Sequence, residues 1–399
     1  MHYLLLTVTY APEMKSGAFM LKALAEELQR KGNKVTVITF SNSIKYQYDK
    51  TIINGVKIIR IKIQDPGFNR IKRSLIELSY SRLIKEFLKQ ASEKKYSAVI
   101  YYSPSIFFGS AVKFIKKKWS IKSYLIMRDL FPDWTVKIGI MKKGLIYRFF
   151  KFFEKRQILA ADFIGMESAA DVEYCRKITQ KTKISVEHLH NWVGEIQNEN
   201  SNLANKYFSE DHINFIYGGV LGVAQDMISF LNLLSQMDLG KIRLVIVGQG
   251  EQKDAIEDFI IKYKELDIIL LSTLDRSKYM DLVKASDVGL IVLNKNLQAN
   301  NYPGKSLEYM YYSKPVFSYI NIGNEFGQMI SDYNFGYVIE GGDKICLQKN
   351  ISDLINNREQ RIEKGNNAKI VLDNIFSVQD AKKLLEEQGI FPESISRLT

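Results

Sequence analysis

Short, almost continuously apolar segments alternate along this chain with longer segments of helical period. Strands of a parallel sheet are apolar on both sides because helices cover both faces, and a helix usually connects one parallel strand to the next. The alternation therefore predicts an α/β fold with parallel sheets. The predicted strands are 3–9, 34–40, 56–63, 98–102, 123–127, 163–166, 185–189, 214–217, 243–247, 268–271, 288–293 and 316–319. The predicted helices are 18–30, 74–92, 107–118, 144–159, 227–237, 252–265, 278–285 and 305–312.

Residues 194–212 interrupt the alternation with a polar stretch rich in Asn, Ser and Glu, a composition typical of a connector. A chain of 399 residues also exceeds one ordinary core. We therefore expect two Rossmann-like domains that face a central cleft. The first would span 1–192, with a C-terminal helix at 377–399 packing back on it, and the second would span 193–376.

The net charge of +12 is distributed unevenly along the chain. Residues 1–190 hold 35 Lys and Arg against 16 Asp and Glu, whereas the remainder has a net charge of −7. A basic half indicates a polyanionic partner, either anionic lipid headgroups or nucleic acid. Cys175 and Cys346 lie far apart in the sequence, without the spacing of metal ligands, and we expect both to be reduced thiols. No apolar segment reaches the ~18 residues of a membrane span. These features favour a cytosolic protein.

Two segments follow predicted strands of the first domain, at the sheet edge where parallel sheets bind ligands. Gly17 stands at the start of the first helix, where it is either a plain turn residue or a phosphate or sugar contact. Arg128 and Asp129 follow the strand at 123–127, and they form either a structural salt bridge or a pair that orients a substrate hydroxyl. The first loop contains no G-x-G-x-x-G pattern, so a dinucleotide site is not supported.

In the second domain, glycine loops follow two successive strands. Gly219 and Gly222 precede Gln225 in the first loop, and Gly248 and Gly250 lie in the second. Such loops let a bound nucleotide approach the backbone closely. Together they predict a nucleotide-sugar pocket.

The segment 300–316 places a Pro303–Gly304 turn, Lys305 and Glu308 at the start of a short amphipathic helix. A helix start offers unpaired N–H groups and a positive dipole end, which suit a phosphate. Lys305 and Glu308 project from the same helical face. Lys305 can then neutralise a diphosphate while Glu308 accepts hydrogen bonds from paired sugar hydroxyls. The alternative is a capped surface helix.

The segment 144–159 mixes aromatic and cationic residues at helical spacing, and further basic runs lie at 70–73 and 113–122. Amphipathic basic helices rich in Phe bind in the plane of an anionic bilayer. A core helix with a solvated basic face is the alternative for each cluster taken alone.

These motifs resemble those of family-4 glycosyltransferases of the GT-B fold. RDLFP at 128–132, GVLGVAQ at 219–225 and the segment 303–316 occur in the same order in the bacterial branch that builds capsule and O-antigen repeat units. Transferases of N-acetyl-fucosamine and related amino sugars belong to that branch. The resemblance spans nearly the whole chain.

The resemblance implies a retaining, hexosyltransferase-type enzyme that uses a UDP-sugar and no metal. The acceptor would be a polyprenyl-diphosphate-linked sugar at the inner face of the cell membrane, and nucleic acid would not be a partner. Arg128, Asp129 and Lys305 would be catalytic. The donor-binding residues would be Gly17, Gly219, Gly222, Gln225, Gly248, Gly250, Asn300, Tyr302, Gly304, Lys305 and Glu308.

This chain departs from the wider family at three places. Asn300 stands where the family has the first of two glutamates separated by seven intervening residues, the second being Glu308 here. Val223 and Asp226 occupy the loop that often supplies an arginine and a lysine, which leaves diphosphate neutralisation mainly to Lys305. Arg128 stands where many relatives have a histidine. Two other functions remain open: an epimerase of UDP-amino sugars on the same fold, and a non-catalytic basic protein at the membrane surface.

Overall fold

The computed structural model describes residues 1–13, 16–65, 67, 70–90, 95–128, 130–137, 139, 141–196, 203–296, 302–387 and 390. The chain divides into two compact units. The first contains Met1–Gly194 together with the segment that begins at Val378, and the second contains Glu195–Ser377.

Eight strands and seven helices make up the described part of the first unit. The strands are β1 (His2–Leu6), β2 (Lys34–Ser41), β3 (Tyr48–Ile53), β4 (Val56–Lys62), β5 (Ala98–Tyr102), β6 (Lys122–Met127), β7 (Phe163–Met166) and β8 (Ser185–His188). The helices are α1 (Ser16–Arg30), α2 (Arg70–Gln90), α3 (Gly109–Trp119), α4 (Asp133–Lys137), α5 (Leu145–Ile158), α6 (Ala169–Thr179) and, after the second unit in the chain, α15 (Val378–Glu387). The short helix α7 (Leu203–Tyr207) belongs to the second unit.

The sheet of the first unit has the order β3-β4-β2-β1-β5-β6-β7-β8. All its neighbouring strands are parallel except β3 and β4, which form an antiparallel hairpin. Asn54 and Gly55 close this hairpin with positive φ angles of 50° and 79°, the conformation that two-residue hairpin turns favour. The parallel order reverses direction between β1 and β5, so the point where ligands bind such sheets lies at the carboxyl ends of these two strands.

Alternate side chains of the central strands pack into two cores, one on each face of this sheet. Leu4 and Leu6 of β1 enter the core beneath α2 and α3, whereas Tyr3 and Leu5 enter the core beneath α1. The second of these cores also contains the apolar side chains of α15, which packs against α1. Val378, Ala381, Leu385 and Ile390 are therefore part of the first unit's core.

The second unit also has a parallel sheet with helices between its strands, and this sheet has six strands. Its strands are β9 (Ile213–Val220), β10 (Ile242–Gln249), β11 (Asp267–Leu271), β12 (Val288–Val292), β13 (Val316–Ile320) and β14 (Gly336–Glu340). Its remaining helices are α8 (Met227–Leu234), α9 (Lys253–Lys262), α10 (Arg276–Ala285), α11 (Gly304–Tyr311), α12 (Glu325–Asp332), α13 (Lys344–Asn356) and α14 (Arg358–Ile375).

The order β11-β10-β9-β12-β13-β14 is that of a doubly wound nucleotide-binding sheet. Its direction reverses between β9 and β12, which places the expected ligand site at their carboxyl ends. Within the described part of the chain, no helix is long and apolar enough to cross a membrane. Nor do the described residues contain a group of three or more His, Cys, Asp or Glu side chains arranged to hold a metal ion.

Candidate active site

The helix α11 begins at the carboxyl edge of the second unit's sheet, after β12. Its first residue, Gly304, follows Pro303, whose side chain provides no cap. A Cβ at Gly304 would meet no atom of the described residues within 4 Å, so this helix start is open as far as the structure describes it. Ser306 to Met310 are buried, which fixes the helix against the unit. The predicted turn, cation and carboxylate are therefore all present at a well-supported helix start.

Three charged side chains form an ion-pair cluster on this helix and its neighbour. Lys305 Nζ lies 3.0 Å from Glu308 Oε2, and Arg276 Nη1 at the start of α10 lies 2.6 Å from Glu308 Oε1. The carboxylate is only 8% exposed, whereas the Lys305 side chain is 38% exposed. A nearly buried carboxylate thus has one cation on each oxygen, and Lys305 is the partner that reaches solvent.

Two tyrosines set the spacing of α10 and α11. Tyr279 of α10 lies on Gly218 of β9, and Tyr309 of α11 lies on Gly289 of β12; a Cβ at either glycine would come within 2.1 Å of the tyrosine. The two tyrosine hydroxyls are 3.4 Å apart, and Tyr309 donates to the Leu290 carbonyl at 3.2 Å. Burial raises the pKa of both phenols above their usual range. These contacts bring the starts of the two helices together and so bring Arg276 to Glu308.

The glycine-rich ends of β9 and β10 contact each other: Gly219 and Gly248, predicted to lie in loops, are paired within the strands, and Gly222 and Gly250 follow them. A Cβ at Gly248 would lie 2.1 Å from the Gly219 carbonyl oxygen, and one at Gly250 would lie 2.2 Å from the Leu221 carbonyl oxygen. Both glycines are therefore required by the neighbouring backbone, whatever binds there. A Cβ at Gly222 would make only ordinary contacts, the nearest at 3.5 Å.

Hydrogen bonds join the loops at this edge into one layer. The Val223 N–H donates to Glu251 Oε1 at 3.1 Å, and the Gln225 N–H donates to the Gly222 carbonyl at 3.0 Å. Asn294, just past β12, donates its backbone N–H to the Ala224 carbonyl at 3.0 Å. The loops that follow three adjacent strands thus support one another at the carboxyl edge of the sheet.

Tyr302 precedes this helix and packs within the second unit. Its ring centroid lies 5.9 Å from that of Phe326 and 6.5 Å from that of Phe376. Asn300 lies outside the described residues, so its predicted role stays a prediction.

In the first unit, Gly17 lies at the reversal point of the sheet. A Cβ there would come within 2.7 Å of the hydroxyl of Tyr102, the last residue of β5. The absence of a side chain at Gly17 therefore lets α1 approach the end of β5.

Arg128 binds the backbone that follows β8. Its guanidinium donates to the Leu189 carbonyl at 2.6 Å and to the His190 carbonyl at 3.0 Å, and it lies 5.6 Å from the centre of the Trp192 ring. Burial, together with His188 and Arg128, lowers the pKa of His190 to about 3, so its imidazole is neutral at physiological pH. Arg128 thus holds a segment of the first unit, and it places a neutral histidine beside itself. Asp129 lies outside the described residues.

The helix α5 has an exposed apolar face, formed by Leu145, Ile146, Phe149 and Phe152. Exposed cations border this face on the same segment: Lys142, Lys143, Arg148, Lys155 and Arg156. The opposite side of the helix is anchored by Gln157, which accepts from the Phe108 N–H at 3.0 Å and donates to the Ser105 carbonyl at 2.6 Å. The predicted amphipathic basic helix is therefore present, and its apolar residues point both inward and outward.

A polar cluster lies between α4, α5 and α6 on the inner side of α5. Lys151 contacts Asp133, Glu154 and Tyr174. The Glu154 side chain is almost fully buried, and this burial raises its pKa to about 7. The Lys151 contact opposes that increase but does not cancel it.

Arg276, Tyr279 and His190 were not predicted as site residues from the sequence. The close packing of α10 and α11, which positions Arg276 and Tyr279, could have been predicted from the strands, because a glycine inside a strand often marks the close approach of another group. Gly218 and Gly289 are such glycines. For His190, no local pattern distinguishes it from a core histidine.

Comparison with known proteins adds a family model and a fold. Residues 198–371 match the family described as glycosyl transferases group 1. No curated protein sequence gives a significant match.

Several solved structures match nearly the whole chain. Sucrose-phosphate synthase from Thermosynechococcus elongatus is 14% identical, with a TM-score of 0.73 and coverage of 97% of this chain and 98% of that one. WaaG, a glycosyltransferase involved in lipopolysaccharide biosynthesis, is 14% identical, with a TM-score of 0.66 and coverage of 96% and 99%. Anabaena HepE, solved in complex with UDP, is 12% identical, with a TM-score of 0.63 and coverage of 97% and 99%. These matches confirm the predicted fold class, two parallel-sheet α/β domains of the GT-B type.

Proposed function

We propose that this protein is a retaining glycosyltransferase that transfers a sugar, an N-acetylated amino sugar, from a UDP-sugar to a lipid-linked saccharide of a bacterial surface polysaccharide. The observation that carries the proposal is the Lys305–Glu308–Arg276 cluster at an open helix start on a doubly wound sheet. The family match over residues 198–371 supports a glycosyltransferase. UDP in the Anabaena structure supports that nucleotide as the donor's carrier.

In the proposed complex, the donor diphosphate lies at the start of α11. Gly304 leaves room for it, and the helix dipole and Lys305 supply positive charge. Glu308 accepts hydrogen bonds from the ribose hydroxyls. The ends of β9 and β10, with Gly219 and Gly248, and the loops after them, with Gly222 and Gly250, line the nucleotide. These assignments use only groups that already converge at one sheet edge.

The reaction proceeds on one face of the donor sugar. The bond from the anomeric carbon to the phosphate oxygen breaks as the acceptor oxygen bonds to the same carbon. The acceptor proton passes to the departing phosphate oxygen, so UDP leaves and the anomeric configuration is retained. Lys305 and the helix start stabilise the negative charge that grows on UDP, which lowers the barrier electrostatically. No metal ion is required by this scheme.

Features of the first unit support the proposed lipid-linked acceptor and the proposed peripheral attachment to the inner face of the membrane. Its exposed apolar face on α5 is bordered by cations, the combination that binds anionic bilayers. A polyprenyl-diphosphate acceptor resides in such a bilayer, so the same surface would bring the enzyme to its substrate.

The test combines donor binding with one substitution. We expect UDP and a matched UDP-sugar to raise the melting temperature, because a ligand stabilises the state that binds it. Lys305→Ala should lower turnover at least about tenfold, equivalent to ~1.4 kcal/mol of transition-state stabilisation. Lys369→Ala is the matched control, because Lys369 is 37% exposed, pairs with Asp373 and lies over the ring of Tyr311.

Three results would reject the proposal. One is an unchanged melting temperature with every UDP-sugar, and another is full turnover in Lys305→Ala. The third is a new UDP-sugar formed without any acceptor, which would identify an epimerase.

A further inference from the structure

The proposed mechanism gives no role to Arg276, although Arg276 forms the shorter of the two ion pairs with Glu308, 2.6 Å against 3.0 Å for Lys305. The two cations bind different oxygens of the carboxylate, Arg276 at Oε1 and Lys305 at Oε2. Each oxygen of Glu308 is therefore already held by a cation.

Donor binding as proposed requires the Lys305–Glu308 pair to open. Lys305 must turn to a phosphate oxygen, and Glu308 must accept from the ribose, yet in the structure Nζ and Oε2 contact each other. Opening the pair removes one cation from a carboxylate that is only 8% exposed. A buried charge without a partner is strongly unfavourable, so the exchange needs a second cation that stays in place.

We infer that Arg276 is a positioning residue for the donor. It holds Oε1 and balances the charge of Glu308, which releases Lys305 to the diphosphate and leaves Oε2 to accept from a ribose hydroxyl. This inference rests on the proposed function, from which it takes the diphosphate and the ribose.

The packing of the helices fixes Arg276 and leaves Lys305 movable. Tyr279, one turn after Arg276, is buried on Gly218 and meets Tyr309, the neighbour of Glu308. Lys305 instead extends toward solvent with Nζ 4.5 Å from the centre of the Tyr279 ring. The Arg276–Glu308 pair thus joins α10 to α11, whereas the Lys305–Glu308 pair lies within α11 and its cation is the more exposed of the two, 38% against 23%.

The loop after β9 provides no cation that could replace Lys305 at Glu308. Its sequence at 221–226 is Leu-Gly-Val-Ala-Gln-Asp, which contains no lysine or arginine. Arg276 supplies a positive charge next to the same carboxylate from α10.

The test is a double-mutant cycle on UDP affinity, measured by isothermal titration calorimetry. Arg276→Gln should weaken UDP binding about tenfold or more, because Lys305 then stays on Glu308. In the Glu308→Gln background there is no charge to balance, so adding Arg276→Gln should change UDP affinity by less than about twofold. Arg276→Lys should restore most of the affinity, since it returns a cation to the same carboxylate.

The control is Arg243→Gln, which breaks an ion pair of 2.7 Å with Asp267 in the same unit, near the amino end of β10, and should leave UDP affinity unchanged. An equal loss in both Glu308 backgrounds, or no loss in Arg276→Gln, would overturn the inference alone. Absence of UDP binding by the wild type would overturn the inference and the proposed function together. If Arg276→Gln does not fold, the comparison of Glu308→Gln with the double variant still decides, because further loss in the double variant refutes the role.

Discussion

Replacing two exposed apolar residues of α5 by serine should detach the protein from anionic membranes. Leu145 is 83% exposed and Phe152 is 54% exposed. Complete burial of a Leu or Phe side chain contributes about 1.5–3 kcal/mol, so burying their exposed fractions in the bilayer interface contributes about 2–4 kcal/mol in total. The double variant should therefore bind vesicles about 30- to 1000-fold more weakly.

Serine leaves the charge unchanged, so the experiment separates apolar insertion from attraction by Lys and Arg. Binding is measured by sedimentation with vesicles of phosphatidylglycerol and phosphatidylcholine, at low and high salt. The matched control replaces Ile345 and Ile370 by serine, because these residues are 82% and 57% exposed on helices of the second unit. The control should bind like the wild type.

Two outcomes would refute this reasoning. If the double variant and the control lose the same affinity, the apolar face of α5 is not the contact. If high salt abolishes wild-type binding completely, the attachment is electrostatic and no side chain enters the bilayer.

Further predictions concern stability and the helix start. Burial raises the pKa of Glu154 from 4.5 to about 7. Between these pH values the folded state binds a proton that the unfolded state does not, so the free energy of unfolding falls as pH rises through this range. Glu154→Gln should remove this dependence when the free energy of unfolding is measured by urea denaturation, and parallel pH profiles of the variant and the wild type would contradict the prediction. Gly248→Ala should destabilise the protein by about 3 kcal/mol or more, because the new Cβ meets the Gly219 carbonyl oxygen. Gly304→Ala should keep the melting temperature of the wild type and weaken UDP binding. Equal melting temperatures for the two variants would refute the steric argument. Arg128→Met should lower the unfolding free energy by about 2 kcal/mol, measured by urea denaturation, since two partly buried backbone carbonyls lose a charged donor. An unchanged value would show that Arg128 is not structural.

Strands that are apolar on both faces could be predicted because burial leaves a local pattern. The predicted strands 98–102 and 163–166 coincide with β5 and β7. The strand β3 was missed, although Asn54–Gly55 is a strong hairpin signal. Its residues are half exposed at an edge of the sheet and carry no continuous apolar run, so only the turn could have revealed it.

The helix start with Lys305 and Glu308 could be predicted because its residues lie within one turn. Arg276 could not, because it joins Glu308 from 32 positions away, and the spacing of α10 and α11 depends on tyrosines packed on strand glycines. The glycines at 248 and 250 carried a correct signal of close approach, but the approaching group in the structure is backbone. A sequence shows that space is needed at a glycine and does not show which atom fills it.

The return of α15 to α1 has a consequence for biosynthesis. Because Val378, Ala381 and Leu385 are buried together with Leu24 and Leu28 of α1, the first unit is interrupted in the chain by the whole second unit. During translation, the second unit can complete its core while the first still lacks a helix. Ribosome-bound chains that end before residue 378 would therefore expose one side of α1, and they would depend on chaperones until the last segment emerges.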